Sequence, residues 1–374
     1  MSRLGRNDKC PCGSGRKVKQ CYGMRRIDPQ PPSQERADTI RELFEVKKCF
    51  HFDAPTACVL PIIRAHTIQE CHLDLIARDH KVYSFRMEPG FSIGTGEAKE
   101  KLVATGMAST LRCFCKAHDQ ALFSPIEDDP YNGTSQQLFL YGYRAIVFSY
   151  YTRLCGHEGY KWKLSNDYSK SMEEHIQRHR YFLSRLPEIR LREQEFATLK
   201  DQFDTNLHNS DFTDLRSFVV ELDHAPALMC AFARGAVYDF RGNILQSLTA
   251  SNPKADIITC TLTATDKGGA IIFTWLGKSE VNERFVSSLD QLNDAELSFA
   301  VARYVFDCSN NLFASPDWWD GLDKDMRLRL RHLRMGPGPG KVTADEYVKT
   351  PYRYQDEFDL MPIQFDIVGR LRNF

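Results

Sequence analysis

The chain has 374 residues, 42% of them hydrophobic, and its formal net charge is zero, so it is long enough for two or three domains with real cores. Its start lacks the apolar core and cleavage site of a signal peptide, and no run approaches the length of a membrane span, which excludes the secreted and membrane classes and predicts a cytoplasmic protein. The charge is uneven: residues 1–26 hold eight basic residues against Asp8, a net charge of +7. A basic head indicates an anionic partner such as nucleic acid or a ribosome.

Cysteine usage indicates metal binding rather than disulfides. Eight of the twelve cysteines fall within the first 119 residues, together with five of the eleven histidines. Disulfide frameworks belong to secreted chains, which the missing signal peptide argues against. We therefore expect metal ligands in a reducing cytoplasm, whereas the later cysteines lie among apolar residues and are predicted to be small core side chains.

The first 23 residues contain a compact cysteine pattern. Cys10 and Cys12 would bind a metal from a tight turn, Gly13 and Gly15 would let the backbone fold back, and Cys21 would return to the same metal. The segment resembles the SEC-C metal-binding motif, with the matching residues Gly5 to Asp8, Cys10 to Lys17, Lys19 and Cys21. So short a segment cannot bury a core, so zinc must supply its folding energy, on the order of 10–16 kcal/mol in small fingers.

The segment departs from the SEC-C pattern at the fourth ligand. That family places a Cys or His directly after the third ligand, and here the residue is Tyr22. Three alternatives stay open: three-coordinate zinc with water, a ligand borrowed from elsewhere in the chain, or loss of the metal. The resemblance also implies docking to a ribosome or a chaperone-like protein through Arg16, Lys17 and Lys19. Tyr22 is a further candidate contact residue, because its side chain is suited to stacking or packing.

A second group of ligand-type side chains begins the body of the protein, after a proline-rich linker at 24–36. Cys49 and Cys58 lie far in sequence from Cys115 and His118, and the Cys115-x2-His118 spacing is that of a zinc knuckle or of the first turn of a helix. These four residues are the predicted ligands of a structural zinc. The alternative is a set of reduced core cysteines with a capping histidine.

His66 ends an apolar stretch that is predicted to be a strand. A strand-end histidine followed later by a Cys-x2-His helix start resembles the His-Asn-His (HNH) nuclease finger over residues 49–125. The resemblance implies that His66 is the general base and that His118 or Asp119 holds a second divalent ion such as magnesium. The usual Cys-x2-Cys-His of that family becomes Cys115 to Asp119 here, and no clear asparagine occupies its middle position.

The remaining chain is predicted to be helical and then sheet-forming. Residues 126–210 are expected to be helical, with a buried first helix in which Arg144 needs a carboxylate from 127–129, and a charged second helix interrupted at Pro187. Residues 211–335 predict an antiparallel sheet plus helices, with a hairpin turn at Asp266 to Gly269. The fold class is therefore α+β: a zinc knob at 1–23, the linker, a zinc-stapled mixed segment at 37–125, the helical middle, the sheet with its C-terminal helices, and an irregular tail at 336–374.

These patterns favour two functions. The first is a bacterial zinc protein that acts on nucleic acid, an HNH-like metal-dependent nuclease with a SEC-C docking module and a role in phage defence. The second is a non-enzymatic adaptor whose basic head docks a chaperone, a ribosome or another protein.

Overall fold

The architecture is that of a computed structural model, which describes residues 4–24, 44–56, 58, 61–85, 100–167, 169–247, 254–335 and 363–374. The predicted linker after Met24 and most of the predicted tail lie outside these ranges. The structure is α+β, with long helices and an antiparallel sheet, which confirms the expected fold class. Among the described residues, no helix combines the length and apolarity needed to cross a membrane.

An eight-stranded antiparallel sheet forms the largest element, in the order β10-β5-β8-β7-β6-β9-β2-β3. Its strands are β2 (Lys81–Ser84), β3 (Lys101–Ala104), β5 (Leu215–Leu222), β6 (Leu228–Gly235), β7 (Ile257–Thr265), β8 (Gly268–Leu276), β9 (Leu312–Ala314) and β10 (Ile367–Asn373). The predicted hairpin at 266–269 is present as the β7–β8 turn, where Gly268 has φ of +130° and an added Cβ would lie 2.2 Å from the Leu222 carbonyl oxygen. Only glycine can adopt this conformation at so close an approach.

Both faces of this sheet are covered. One face packs on α5 (Glu280–Asp290), α6 (Asp294–Cys308) and α8 (Lys324–Met335), and this core includes Trp275, Phe285 and Tyr304. Two short elements complete this part of the chain: α1 (Glu70–Asp74) and α7 (Pro316–Gly321). Strand β10 corrects the expected irregular tail, because residues 367–373 pair antiparallel with β5, with one shift of register between Ile367 and Gly369.

The other face meets a helix at very short range. An added Cβ on Gly142, in α3 (Ser135–Ser165), would lie 2.3 Å from Thr274 Oγ1. Ser149 Oγ of the same helix accepts a hydrogen bond from the Ala233 amide at 2.8 Å. A buried helix of this kind explains the nearly continuous apolar sequence, and its Arg144 pairs with Glu127, as the sequence predicts.

A separate two-stranded ribbon leads into a helix. Strand β1 (Ile62–His66) pairs antiparallel with β4 (Thr110–Cys115), and α2 (Lys116–Glu127) begins at the next residue. Cys115 is the last residue of β4 and stands at the N-cap of α2 with an extended backbone. The ribbon and the helix together set the position of the second predicted metal group.

The chain divides into two compact units. The first contains Met1–Val46 and Tyr150–Ala197, and the second contains Lys47–Ser149 and Thr198–Phe374. In this division the helical region at 126–210 is shared between the two units. Helix α4 (Met172–His208) also runs without a break through Pro187, which corrects the predicted interruption. A proline removes one backbone hydrogen bond, and the many other turns of a 37-residue helix can hold the rest together.

Candidate metal centres

The head builds its cysteine group from a tight fold of residues 5–24. The Cys10 amide donates to the Arg16 carbonyl at 2.8 Å, and the Val18 amide donates to the Asp8 carbonyl at 2.9 Å. Gly13 and Gly15 have φ of +87° and +72°, the left-handed conformation that the sequence pattern required. This fold places Cys12 Sγ 3.5 Å from Cys21 Sγ.

A histidine from helix α4 completes the group. His175 Nε2 lies 3.3 Å from both Cys10 Sγ and Cys21 Sγ, although it is 165 and 154 residues away along the chain. The four ligand atoms lie within 4.8 Å of one another and all four residues are buried. Zinc–sulfur and zinc–nitrogen bonds of about 2.3 and 2.0 Å would place tetrahedral ligand atoms about 3.5–3.8 Å apart, close to these separations. His175 is therefore a candidate for the borrowed ligand that the sequence left as one of three alternatives.

Burial and a nearby hydroxyl set the protonation of these thiols. Burial raises the pKa of Cys21 to about 12. Burial also opposes ionisation of Cys12, but hydrogen bonds with the Ser14 side chain and backbone bring its pKa down to about 7. The Ser14 hydroxyl oxygen lies 3.2 Å from Cys12 Sγ and 3.3 Å from Cys21 Sγ. A bound cation would favour the thiolate form at all three cysteines.

The body holds a second group at the start of α2. Cys49, Cys58, Cys115 and His118 offer ligand atoms that lie within 4.8 Å of one another. His118 Nδ1 is 3.3 Å from Cys49 Sγ and 3.8 Å from Cys58 Sγ. Cys115 is the last residue of β4 and His118 lies in the first turn of α2. The Cys115-x2-His118 spacing is therefore that of a helix start.

Neighbouring rings hold the second group in place. The His51 ring stacks on His118 with centroids 3.9 Å apart and planes 7° apart, and it also stacks on Phe52. Burial and the nearby His118 lower the pKa of His51 to about 4, so His51 is neutral near pH 7. Cys113, two residues before Cys115, is fully buried but does not belong to the group.

His66 lies at the far end of the ribbon from these ligands. It pairs with Thr110, whereas Cys115 pairs with Ile62, so about 13 Å of strand separates the two positions. Burial lowers the pKa of His66, and its Nε2 lies 3.4 Å from the Thr105 carbonyl oxygen. A carbonyl oxygen can only accept, so the neutral imidazole carries its proton on Nε2 and leaves Nδ1 basic.

Asp119 lies next to His118 but is outside the second metal group. It is 9% exposed, and burial raises its pKa to about 6 while Arg144 acts in the opposite direction. Within the described part of the chain, its Oδ1 has no hydrogen-bond partner. A buried carboxylate oxygen without a partner is costly, so a cation is a natural complement for it.

No local pattern in the sequence points to His175, the fourth member of the head group, or to Asp167, its hydrogen-bond partner. His175 belongs to a helix whose charged pattern predicts a solvated face, yet His175 is fully buried. Asp167 lies just before that helix and pairs with His175 Nδ1. The sequence contains one indirect indication: Tyr22 stands in the position of the fourth ligand, so a fourth ligand would have to come from elsewhere in the chain. It did not indicate which residue that would be.

The remaining predicted head residues lie on or near its surface. Arg16, Lys17 and Lys19 are exposed. Tyr22 is partly buried, and its ring meets the edge of the His175 ring at 5.3 Å between centroids and 69° between planes. Tyr22 therefore packs beside the group.

Comparison with known proteins supports one identification. No curated protein and no solved structure matches this chain. Residues 6–21 match the SEC-C motif. The head of this chain is therefore a SEC-C metal-binding motif, and the chain carries two Cys/His groups that could hold a metal.

Proposed function

We propose that this chain is a zinc protein that acts on nucleic acid, with an HNH-like, divalent-metal-dependent cleavage site on the β1–β4–α2 unit. The observation that carries this proposal is the order of elements: a strand ending at His66, an antiparallel partner, and a helix that begins at once with a Cys/His group at its base. Three thiols and an imidazole suit zinc, which would hold the ribbon end and the helix start together.

Asp119 takes the role of ligand for a second cation such as magnesium. His118 belongs to the thiol group, so Asp119 is the helix residue left for this role. Its buried and unpartnered Oδ1 supports the assignment. A divalent cation there would stabilise the charge that develops on a phosphate and lower the pKa of a bound water.

His66 acts as the general base through Nδ1. Glu127 and Arg144 act electrostatically on both His66 and Asp119, which indicates that the two residues share one polar region. The lowered pKa keeps His66 neutral near pH 7, the form that can accept a proton.

Cleavage of supercoiled plasmid DNA and of total RNA with magnesium, manganese or EDTA tests this function. We expect metal-dependent cleavage that falls by about 10²–10⁴-fold in His66→Ala, the usual contribution of a general base. Asp119→Asn should raise the magnesium concentration needed for half-maximal rate. His224→Ala, which changes a histidine whose side chain is 73% exposed, is the matched control and should leave the rate unchanged.

Two outcomes would contradict this proposal. The first is no cleavage of either substrate with any metal. The second is a His66→Ala rate equal to that of His224→Ala. Either would leave docking without catalysis as the function of the chain.

The second candidate is an adaptor that docks an anionic partner through its head. The exposed cations Arg6, Lys9, Arg16, Lys17 and Lys19 favour it, because they surround a metal-binding turn with Asp8 as the one acidic residue among 4–24. Docking by charge predicts that affinity falls steeply with salt. Docking by apolar contact through Tyr22 predicts a shallow salt dependence, and the partial burial of Tyr22 on His175 argues against it.

Binding of ribosomes, RNA and duplex DNA across a salt series separates these modes. Engagement of four or five cations predicts a slope of about −3 to −4 in log K against log salt, from roughly −0.7 to −0.9 per contact. Changing Arg16, Lys17 and Lys19 to Ala should flatten the slope by about two to three units. A flat response between low and physiological salt would contradict charge-driven docking.

A further inference from the structure

A hydrogen bond to Asp167 fixes the orientation of the His175 ring. Asp167 Oδ2 lies within hydrogen-bond distance of His175 Nδ1, and both side chains are nearly inaccessible to solvent. The other oxygen of Asp167 accepts from the Ser169 amide at 2.9 Å and from the Ser169 hydroxyl at 2.5 Å. The carboxylate is therefore fixed on one side by Ser169 and meets His175 on the other.

We propose that the SEC-C metal of this chain is a Cys3His zinc whose fourth ligand is His175, that Asp167 is its positioning residue, and that this metal joins residues 4–24 to helix α4. Asp167 accepts a hydrogen bond from Nδ1–H, which leaves the lone pair of Nε2 free to bind a metal, and Nε2 is the atom that faces Cys10 and Cys21. A carboxylate in this place fixes the tautomer and the ring plane of a zinc-bound histidine and raises its basicity.

Two neighbouring side chains are weaker candidates for the fourth position. Tyr22 is partly buried and places its ring against the edge of the His175 ring, where it packs beside the cysteines. His179 lies one helical turn after His175, with Nε2 3.8 Å from Asp167 Oδ2, and neither of its ring nitrogens has a hydrogen-bond partner among the described residues. Asp167, His175 and His179 could together hold a metal without sulfur, so that arrangement is the competing outcome.

The head touches helix α4 beyond the metal group itself. Arg180 Nη2 donates to the Pro11 carbonyl at 3.0 Å, and Ile176 packs on the three cysteines with Val18 and Tyr22. The Tyr22 ring against the His175 ring, and Leu183, whose Cδ1 lies 3.9 Å from a Cβ added at Gly13, are further contacts between the two segments. A metal–His175 bond would add the free energy of zinc binding to these contacts.

Metal affinity and ligand type test the assignment in the full chain. Zinc affinity would be measured by competition with a chromophoric chelator, and Co²⁺ would report the donor set by its sulfur charge-transfer and d–d absorption. We expect His175→Ala to abolish high-affinity binding at the head, with a Co²⁺ spectrum that loses tetrahedral intensity. Asp167→Asn should lower zinc affinity by about 10–100-fold while keeping the sulfur bands.

Two control variants separate coordination from folding. His157 is also buried and pairs through Nδ1 with a carboxylate, that of Glu193, but it lies outside the described metal groups. His157→Ala and Tyr22→Phe should both leave the zinc affinity and the Co²⁺ spectrum of the head unchanged. A His175→Ala protein that binds zinc at the head as tightly as His157→Ala would overturn the proposal. Sulfur bands that are as strong in Cys12→Ser as in the unmodified protein would place the head metal on Asp167, His175 and His179 and would overturn it as well.

Hydrogen exchange tests the link between the head and the helix. Cys12→Ser removes a head ligand and leaves the second group untouched. If the metal joins the two segments, amide protection should fall in residues 4–24 and also in residues 172–183. A loss confined to residues 4–24 would show that His175 does not bind the metal.

Discussion

The two Cys/His groups use the same kinds of ligand in different surroundings. In the head, three ligands come from twelve consecutive residues, and the apolar side chains packed on them are Val18, Tyr22 and Ile176. In the body, ligands from separate segments meet where β4 ends and α2 begins, beside the stacked rings of His51 and Phe52. A metal in the head would stand in for a hydrophobic core, whereas a metal in the body would fix a junction in a unit that already has such a core. Metal binding to similar ligand sets can therefore contribute different fractions of the free energy of folding in the head and in the body.

The largest expected effect comes from removing a body ligand. Cys115→Ser should lower the free energy of unfolding by more than about 4 kcal/mol, because loss of a structural metal is among the severe classes of substitution. Cys113→Ser is the matched control, because it makes the same sulfur-to-oxygen change on the same strand. Cys113 is fully buried and lies outside the metal group. Denaturant unfolding with zinc present would measure both, and equal losses would argue against a metal at Cys115.

The next largest expected loss of stability comes from breaking a charge pair near the body group, in a variant that keeps every candidate ligand. Glu127→Ala leaves the buried guanidinium of Arg144 without its partner, so stability should fall by about 2–4 kcal/mol, less than for a fully buried pair because Glu127 is partly exposed. The exposed pair of Glu158 and Lys161 gives the control, where Glu158→Ala should cost about 0.2–1 kcal/mol. Zinc content should stay unchanged in both variants. Zinc loss in Glu127→Ala would mean that the pair supports the metal group.

A smaller effect is expected from a substitution in the turn that follows Cys12, and it tests how strongly zinc binding at the head depends on the left-handed conformation of Gly13. Gly13 has φ of +87°, so Gly13→Ala should cost about 1–2 kcal/mol and weaken zinc binding at the head by about 5–30-fold. Apart from its chain neighbours and the backbone of its own helix, no described atom lies within 4 Å of a Cβ added at Gly156 in the interior of α3. Gly156→Ala should therefore stabilise the helix by up to about 1 kcal/mol with no change in zinc affinity. Chelator competition and thermal unfolding would distinguish the two variants.

The smallest effect concerns the hydroxyl beside two thiols of the head. Ser14→Ala removes the group that lies 3.2 and 3.3 Å from Cys12 and Cys21 Sγ, so we expect a loss of about 0.5–1.5 kcal/mol, or about two- to tenfold in zinc affinity. Ser184→Ala, which removes a hydroxyl bonded to the Tyr181 carbonyl on the surface of α4, should have no such effect. A Ser14→Ala affinity equal to that of Ser184→Ala would show that the hydroxyl does not support the thiolates.

Short-range geometry determined what the sequence alone could predict. Cys10, Cys12 and Cys21 lie together because two left-handed glycines and the spacing between cysteines fold one short turn. The Cys115-x2-His118 spacing likewise placed two ligands at the start of a helix. The strand pattern and the turn at 266–269 predicted β7 and β8 for the same reason: side-chain period and turn residues act over a few positions.

The tertiary structure decided the rest, because those choices depend on contacts between distant segments. His175 has no local signal: a single histidine in a charged helix becomes a ligand candidate only because the head packs on that helix. Strand β9 has three residues and β10 follows a long stretch without a pattern, so their pairing depends on the edges that neighbouring strands offer. The position of His66, at the opposite end of the ribbon from Cys115, followed from strand register, which a single sequence leaves open when the partner strand is more than forty residues away.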